Sequence, residues 1–426
     1  MTEVAEKVNG RLYMIIERND YLNKLINRKN NGLVKIITGI RRCGKSYLLD
    51  PIFKNYLIND GVKEEHIIKI DLEMRENIEL LDPDKLYNYV KEKIIDDGVY
   101  YVLIDEVQKV NDFESVLNSF LKMHNLDVYV AGSNSKFLSS DIITEFRGRG
   151  DEIRIFPLYF KEFYDAYQKD KYMAWDEYIL YGGMPFILQN KTVEQKSKYL
   201  IDLFELTYKK DIIERNNIAK VDILDSLINV LSSSVGSLTN PQKIYNTFIS
   251  NGIKDLSKNT IVSYLGCLLD SFLVEKAERY DIKGKRYIGT PQKYYFADIG
   301  LRNARLNFRQ VEENHLMENV IYNELLMRGY NVDVGVVEVR DENKCRKQLE
   351  VDFVCNQGNK RYYIQSALNL DTREKTIQEE KSLMNINDNF KKIIVVKSTM
   401  KHWYTEEGIL IIGIQEFLLD KNSLDL

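Results

Sequence analysis

An α/β chain of several domains is what the sequence predicts, and three observations predict it. Between residue 33 and about residue 156, short β-branched or aromatic runs alternate with amphipathic helical stretches, the pattern of a parallel sheet covered by helices on both faces. From about 159 to 275 the pattern turns helical. Strands return between about 320 and 412, which fits a second α/β domain.

The first strands are LVKIIT, HIIKIDL, VYYVLID, DVYVAG and EIRIF, mostly apolar on consecutive positions, as suits strands buried on both sides. Apolar residues three and four apart across 197–215 and 222–235 predict helices. Leu227 to Leu273 reads helix, turn, helix, turn, helix, with Ser257-Lys258-Asn259-Thr260 opening the last as a capping sequence. Phe272–Lys276 and Lys293–Phe296 read as two strands joined by a tip that carries Lys283, Lys285, Arg286 and Lys293 with no acid from 283 to 293. A helix across Glu318–Met327 then precedes VDVGVVEV, EVDFVC, RYYIQSA, KIIVVK and GILIIG. The expected divisions are a sheet domain at 1–158, a helical lid or linker at 159–220, a helix-and-hairpin domain at 221–305 and an α/β domain at 306–426.

Composition narrows the function classes. A chain of 426 residues with 44% hydrophobic and 29% charged residues is globular, not disordered. Sixty Lys+Arg against 64 Asp+Glu leave a net charge of −4, which excludes whole-chain basicity and leaves a local basic face open. No apolar run approaches the roughly 20 residues that cross a bilayer, so no membrane partner is expected. The first twenty residues have acidic residues where a signal peptide carries basic ones, and no small-residue cleavage site follows an apolar stretch. Cys43, Cys267, Cys345 and Cys355 form no CxxC pair, so neither a disulfide framework nor a zinc site is predicted, and the expected compartment is the cytoplasm.

The first motif with chemistry is Gly39-Ile40-Arg41-Arg42-Cys43-Gly44-Lys45-Ser46, a GxxxxGKS between a strand and a helix starting near Lys45. Glycines let such a loop turn tightly, so its N–H groups and the helix N-terminus surround a β-phosphate. Lys45 is expected to reach the β- and γ-phosphates, and the Ser46 hydroxyl to ligate Mg²⁺. The second is Val99–Glu106, an apolar strand ending in two carboxylates. In a P-loop protein this is a Walker-B pattern, in which Asp105 holds Mg²⁺ through its water shell and Glu106 orients and polarises the attacking water. Gln108 follows, either against the nucleotide or solvated. Asn134 or Ser133, after the strand Asp127–Ala131, is the γ-phosphate sensor candidate or else a helix cap. Arg147 and Arg149 are either surface cations or the source of an arginine for the transition state, in cis or from a neighbouring subunit.

At these residues a resemblance enters. GIRRCGKSYLL, LIDEVQ, AGSNSKFL, FRGRG with IFPLYFKEF, then YGGMPFIL and KYYFADIGL, resemble the bacterial and archaeal AAA-type ATPases that carry a C-terminal domain of unknown function. The resemblance runs from about Leu33 to the late 360s. It implies ATP binding by Gly39, Ile40, Arg41, Arg42, Cys43, Gly44, Lys45 and Ser46, with the adjoining Tyr47, Mg²⁺ at Asp105 and the catalytic acid at Glu106. It also gives Arg149 the place of the arginine in a GR-aromatic turn, although Gly150 stands here for the aromatic. Tyr181–Pro185, YGGMP, reads as a helix stop.

The helices and hairpin of 221–305 resemble a winged helix, whose last helix would bring Lys258, Asn259 and Ser263 to the bases of duplex DNA while the tip meets phosphates; a protein-contact or spacer role is the alternative. In 306–426, Glu318 or Glu324 and Asp352 are arranged as in restriction-endonuclease-like folds. Gln365 and Ala367, however, occupy the positions of the acid and lysine that metal-dependent cleavage needs. An inactive nuclease-like domain is expected, and Lys360 is the residue an active version would recruit. The function expected is Mg²⁺-dependent ATP binding and hydrolysis coupled to conformational change in the C-terminal modules. The alternatives are a nucleotide-controlled DNA-binding module with a slow ATPase and a metal-dependent nuclease. Partner and oligomeric state stay open, a protein partner and a homo-oligomer included.

Overall fold

Each of the first five apolar runs forms one strand. β1 (Ala5–Val8) and β2 (Arg11–Met14) pair antiparallel by themselves, and β3 (Val34–Thr38), β4 (Ile67–Asp71), β5 (Tyr100–Asp105), β6 (Leu126–Ala131) and β7 (Gly150–Arg154) build a parallel sheet in the order β4-β5-β6-β3-β7. The structure is a computed structural model that describes residues 16–132, 148–253, 256–340, 345–398 and 400–426 and the backbone of 5–8 and 11–14. It divides into two units, Met1–Pro157 and Leu158–Leu426.

In the first unit every position of β3 is buried, which is why its run has no polar alternation. Ile36, Val102, Ile104, Val128 and Val130 pack with Leu86 and Val90 of the helix Pro83–Lys93 and with Leu117 and Phe120 of the helix Phe113–Phe120. Burying one such side chain contributes about 1.5–3 kcal/mol. Asp82 starts the first of these helices by accepting from Lys85 N at 3.0 Å, with Pro83 in the first turn. Because only β6 separates β3 from β5, the loop after β3 and the carboxylates after β5 emerge at one edge of the sheet.

The second unit opens with helices over Phe160–Tyr167 and Lys171–Tyr181 and a helical run from Val193 to Arg215. Three helices follow, Val221–Ser233, Pro241–Ser250 and Lys258–Asp270, and the expected cap forms, Ser257 Oγ accepting from Thr260 N at 3.1 Å. β8 (Val274–Asp281) and β9 (Arg286–Phe296) make an antiparallel hairpin. Thr239, between the first two of the three helices, exchanges two backbone hydrogen bonds of 2.8 Å with Gln292 of β9. After the helices Ile299–Arg305 and Glu313–Met327 come β10 (Asn331–Arg340), β11 (Arg346–Gln357), β12 (Lys360–Ala367), β13 (Lys391–Val396), β14 (Trp403–Tyr404) and β15 (Leu410–Gly413). The helix Arg373–Met384 joins β12 to β13. All eight strands form one mixed sheet, β14-β15-β13-β12-β11-β10-β8-β9. β10 runs parallel to β8, so strands from both sides of residue 305 share that sheet.

The YGGMP segment does more than end a helix. The helix Lys171–Tyr181 stops at Gly182, and a Cβ on Gly183 would lie 2.0 Å from the Leu158 carbonyl oxygen. Gly183 N donates to Asp298 Oδ2 at 2.7 Å, and Leu301 N to Asp298 Oδ1 at 2.9 Å. Burial pushes the Asp298 carboxyl up to about 6 while these N–H groups pull the other way. Among the described residues no helix is long and apolar enough to cross a membrane.

Candidate nucleotide site

The loop from Gly39 to Gly44 leaves β3 and turns into a helix that starts at Lys45. Gly39 has φ +141°, and a Cβ there would lie 2.2 Å from the Ile155 carbonyl oxygen, so no other residue fits without displacing the strand end. Lys45 is buried with its ammonium folded into the loop, donating to the Gly39 and Ile40 carbonyl oxygens at 2.9 and 3.0 Å. Those are weak anchors for a cation, and a phosphate would offer charge-assisted ones. Ile40 and Cys43 are buried and pack the back of the loop, Cys43 Sγ lying 3.7 Å from Ile155 O. Only their backbone is left for a ligand. Arg42 and Ser46 are exposed, Tyr47 is half-buried, and Arg41 lies 3.9 Å from Glu73.

Ser46 and Asp105 meet across the edge of the sheet and line one pocket, with the Ser46 hydroxyl near enough to favour the charged Asp105 carboxylate. Burial pushes the Asp105 carboxyl up to about 6. The Ser46 hydroxyl opposes this, and the neighbouring charges of Glu106 and Asp71 add to it. An added positive charge would relieve that. Among the described residues no group of three or more His, Cys, Asp or Glu is placed to hold a metal by itself. A hydroxyl and a carboxylate are the hard oxygen donors that suit Mg²⁺ when phosphates and water complete its shell.

Glu106 leaves the strand with φ 53° and ψ 41°, an uncommon backbone for a non-glycine residue, and its N–H donates to Asp105 Oδ1 at 3.1 Å. Its carboxylate accepts from Gln108 Nε2. Arg149 is elsewhere. It is exposed, donates to Asn118 Oδ1 at 3.2 Å, and immediately precedes Gly150, which pairs with Val34. Residue 34 begins β3 and the loop follows its far end, so about 16 Å of strand separates Arg149 from the loop of its own chain. Ser133, Asn134 and Arg147 lie outside the described residues.

Two residues here were not singled out from the sequence. Arg18 is buried, stacks 4.6 Å from the Tyr21 ring centre, and ties the loop down by donating to Cys43 O at 2.9 Å and Phe156 O at 2.8 Å. No motif marks it. Asp71 pairs with Asp105 in the β4–β5 register and lines the same pocket. Its signal was available, since HIIKIDL is also an apolar strand ending in an acid.

The second unit has a charged cluster of its own. Lys293 Nζ lies 2.8 Å from Glu318 Oε1, 2.7 Å from Glu350 Oε1 and 3.3 Å from Asp352 Oδ1, and Tyr295 OH donates to Glu318 Oε1 at 2.6 Å. A bulge in β11 lies at this point: Asp333 pairs with Val354 but Gly335 with Val351, leaving Asp352 and Phe353 opposite one residue. Burial disfavours the Lys293 charge, yet the three carboxylates raise its pKa. The expectation that Lys293 belongs to an exposed basic tip is therefore corrected, because the alternating pleat turns it into the interior. Lys283, Lys285 and Arg286 remain exposed. Gln365 accepts from Asp352 N at 3.3 Å, and Ala367 is buried. Lys360, 2.8 Å from Asp425, is engaged at the other end of β12.

The model of the AAA domain family matches residues 31–164, and two domains of unknown function, DUF8612 and DUF4143, match 173–312 and 313–417. A Haemophilus influenzae protein described only as uncharacterized is 34% identical over 413 residues, covering 95% of this chain and 99% of its own length. A Methanocaldococcus jannaschii protein with the same description is 28% identical over 433 residues, covering 97% and 89%. Among solved structures, the Aeropyrum pernix ORC1 protein in complex with DNA aligns over 68% of this chain and 92% of its own, at 11% identity and a TM-score of 0.29. That likeness is too distant to bear on what this chain binds.

Proposed function

The chain belongs to the family of AAA-domain proteins that carry C-terminal domains of unknown function, and we propose that it is a Mg²⁺-dependent ATPase whose nucleotide cycle moves its C-terminal modules. One observation carries the reading: Ser46, at the end of the glycine loop, and Asp105, at the end of the carboxylate strand, line one pocket, where a phosphate-bound cation would lie. The backbone N–H groups of Gly39–Ser46 and Tyr47 hold the phosphates, and Lys45 exchanges its two carbonyl contacts for phosphate oxygens. When bound between Ser46 and Asp105, Mg²⁺ supplies charge neutralisation on the phosphates. Glu106 takes the proton of the attacking water. Catalysis is then positioning plus electrostatics.

Arg149 serves in trans in this reading. Its distance from the loop of its own chain supports a homo-oligomer in which it faces a neighbour's γ-phosphate, and Asn134 is the proposed sensor.

Lys45→Ala is expected to lower ATP affinity by about 100-fold, since two charge-assisted bonds are lost at about 1.5–3 kcal/mol each and part of that is recovered by solvent. Titration calorimetry with ATP and Mg²⁺ checks it. Unchanged affinity would remove the loop from the mechanism.

A second reading, a nucleotide-controlled DNA-binding module, is favoured by the three helices, the Thr239–Gln292 pairing and the β8–β9 hairpin, the arrangement of a winged helix. Lys258, Asn259 and Ser263 are exposed on the third helix, and the hairpin tip keeps three exposed cations, of which Lys283 donates to Glu338 O at 3.0 Å and Arg286 lies 3.5 Å from Asp281. Three phosphate contacts give a log K against log salt slope of about −2.7. Changing Lys283, Lys285 and Arg286 to Glu is expected to abolish salt-sensitive duplex binding in a fluorescence anisotropy titration. Wild-type protein that fails to bind duplex at low salt would leave the hairpin a protein-contact element. For the region 306–426 we propose a non-hydrolytic scaffold, because Gln365 and Ala367 supply neither metal charge nor ammonium and Lys293 is held by three carboxylates.

A further inference from the structure

We infer that Gln108 is the positioning residue for Glu106. The inference rests on the ATPase reading above and deepens it. Glu106 stands at the end of β5 with a left-handed backbone, which takes its side chain out of the strand's alternation and leaves its aim to be set by neighbours. The one-turn helix Val107–Lys109 follows at once, pinned by the fully buried Val107 and by the bond from Lys109 N to Glu106 O at 3.0 Å. That turn folds the Gln108 side chain back so that Nε2 donates to Glu106 Oε2. A carboxylate only accepts, so the amide orientation is set by its partner.

The other end of the amide is the second observation. Gln108 Oε1 is buried and has no donor among the described residues. A buried acceptor left unpaired costs stability that a leucine of similar size would not incur. The amide is therefore poorly explained by packing and well explained by the carboxylate it holds. With one Glu106 oxygen held by Gln108, the carboxylate is given one orientation toward a water at the γ-phosphate, which is the condition for in-line attack. Gln108 touches neither nucleotide nor water in this scheme and acts through Glu106.

The test is a double-mutant cycle read by phosphate release. Gln108→Leu is expected to lower kcat by about 10- to 100-fold, the cost of a carboxylate displaced by about an ångström, with KM and ATP affinity unchanged. In a Glu106→Gln background the same change is expected to add nothing, because the group it aims is already gone. If Gln108→Leu fails to fold, Gln108→Glu keeps the shape, replaces the donor by an acceptor, and is expected to show the same loss and the same absence of effect beside Glu106→Gln. Wild-type kcat in the single variants, or a further multiplicative loss in the double variant, would overturn the inference while leaving Glu106 in place. A Glu106→Gln protein that hydrolyses at the wild-type rate would bring down the catalytic reading itself and the inference with it.

Discussion

Glu106→Gln is expected to slow ATP hydrolysis by about 10²- to 10⁴-fold while ATP stays bound. The amide has the shape of the carboxylate but no basicity, so the attacking water keeps its proton, and a positioned general base is worth that range. Binding is expected to survive because the phosphates are held by the loop backbone, Lys45 and Ser46. The exchange is mild in packing terms, since Glu106 is half-buried and Gln108 can still approach an amide oxygen. Single-turnover hydrolysis, followed beside retention of labelled ATP on the protein, separates the two effects. Hydrolysis at the wild-type rate would end the role given to Glu106, whereas loss of ATP together with loss of turnover would show that the residue belongs to binding.

The second large effect is on stability. Lys293→Ala leaves Glu318, Glu350 and Asp352 facing one another with no cation between them, two of the three buried. Removing one partner of a buried ion pair costs about 3–5 kcal/mol, because the remaining charge is stranded in a medium that solvates it poorly. In the wild type the Lys293 pKa is raised above its ordinary 10.5, so its contribution is complete below that value and is lost only as the pH rises through the folded value. In the variant the Glu318 carboxyl, which burial already pushes up to about 7, loses the ammonium that favoured its charge and keeps a proton that the unfolded chain releases, so stability is expected to recover as the pH falls from about 7 towards 5. Urea unfolding at the two pH values measures both. Adding Glu318→Gln should restore part of the loss at neutral pH. A variant as stable as the wild type at both would mean that solvent reaches the cluster.

Much of the first unit was legible because its signals are local. A parallel strand covered on both faces must be apolar along its length, and LVKIIT or VYYVLID says so within six or seven residues. The glycine loop is equally compact, since eight neighbouring residues surround the phosphate. The C-terminal cluster was half legible: Glu318, Asp352, Gln365 and Ala367 could be placed by the fold they resemble, but Lys293 could not. It lies 25 residues from Glu318 and 59 from Asp352 in the chain, and a lysine in a basic stretch gives no sign that its strand turns it inward. Arg18 escaped for the same reason, its partners Cys43 and Phe156 being 25 and 138 residues away. Arg149 was legible as a residue and not as a position. Only the β3–β7 register reveals which end of the sheet it occupies.

The shared sheet of the second unit has a mechanical consequence. The hairpin β8–β9 is the outermost pair of eight hydrogen-bonded strands, joined to β10 and riveted by the Lys293 ammonium to the helix and strand behind it. A tip mounted that way does not flap on a hinge. A pull on Lys283, Lys285 or Arg286 is transmitted as load across the whole ribbon, so that whatever the hairpin grips moves with the sheet as a single stiff plate.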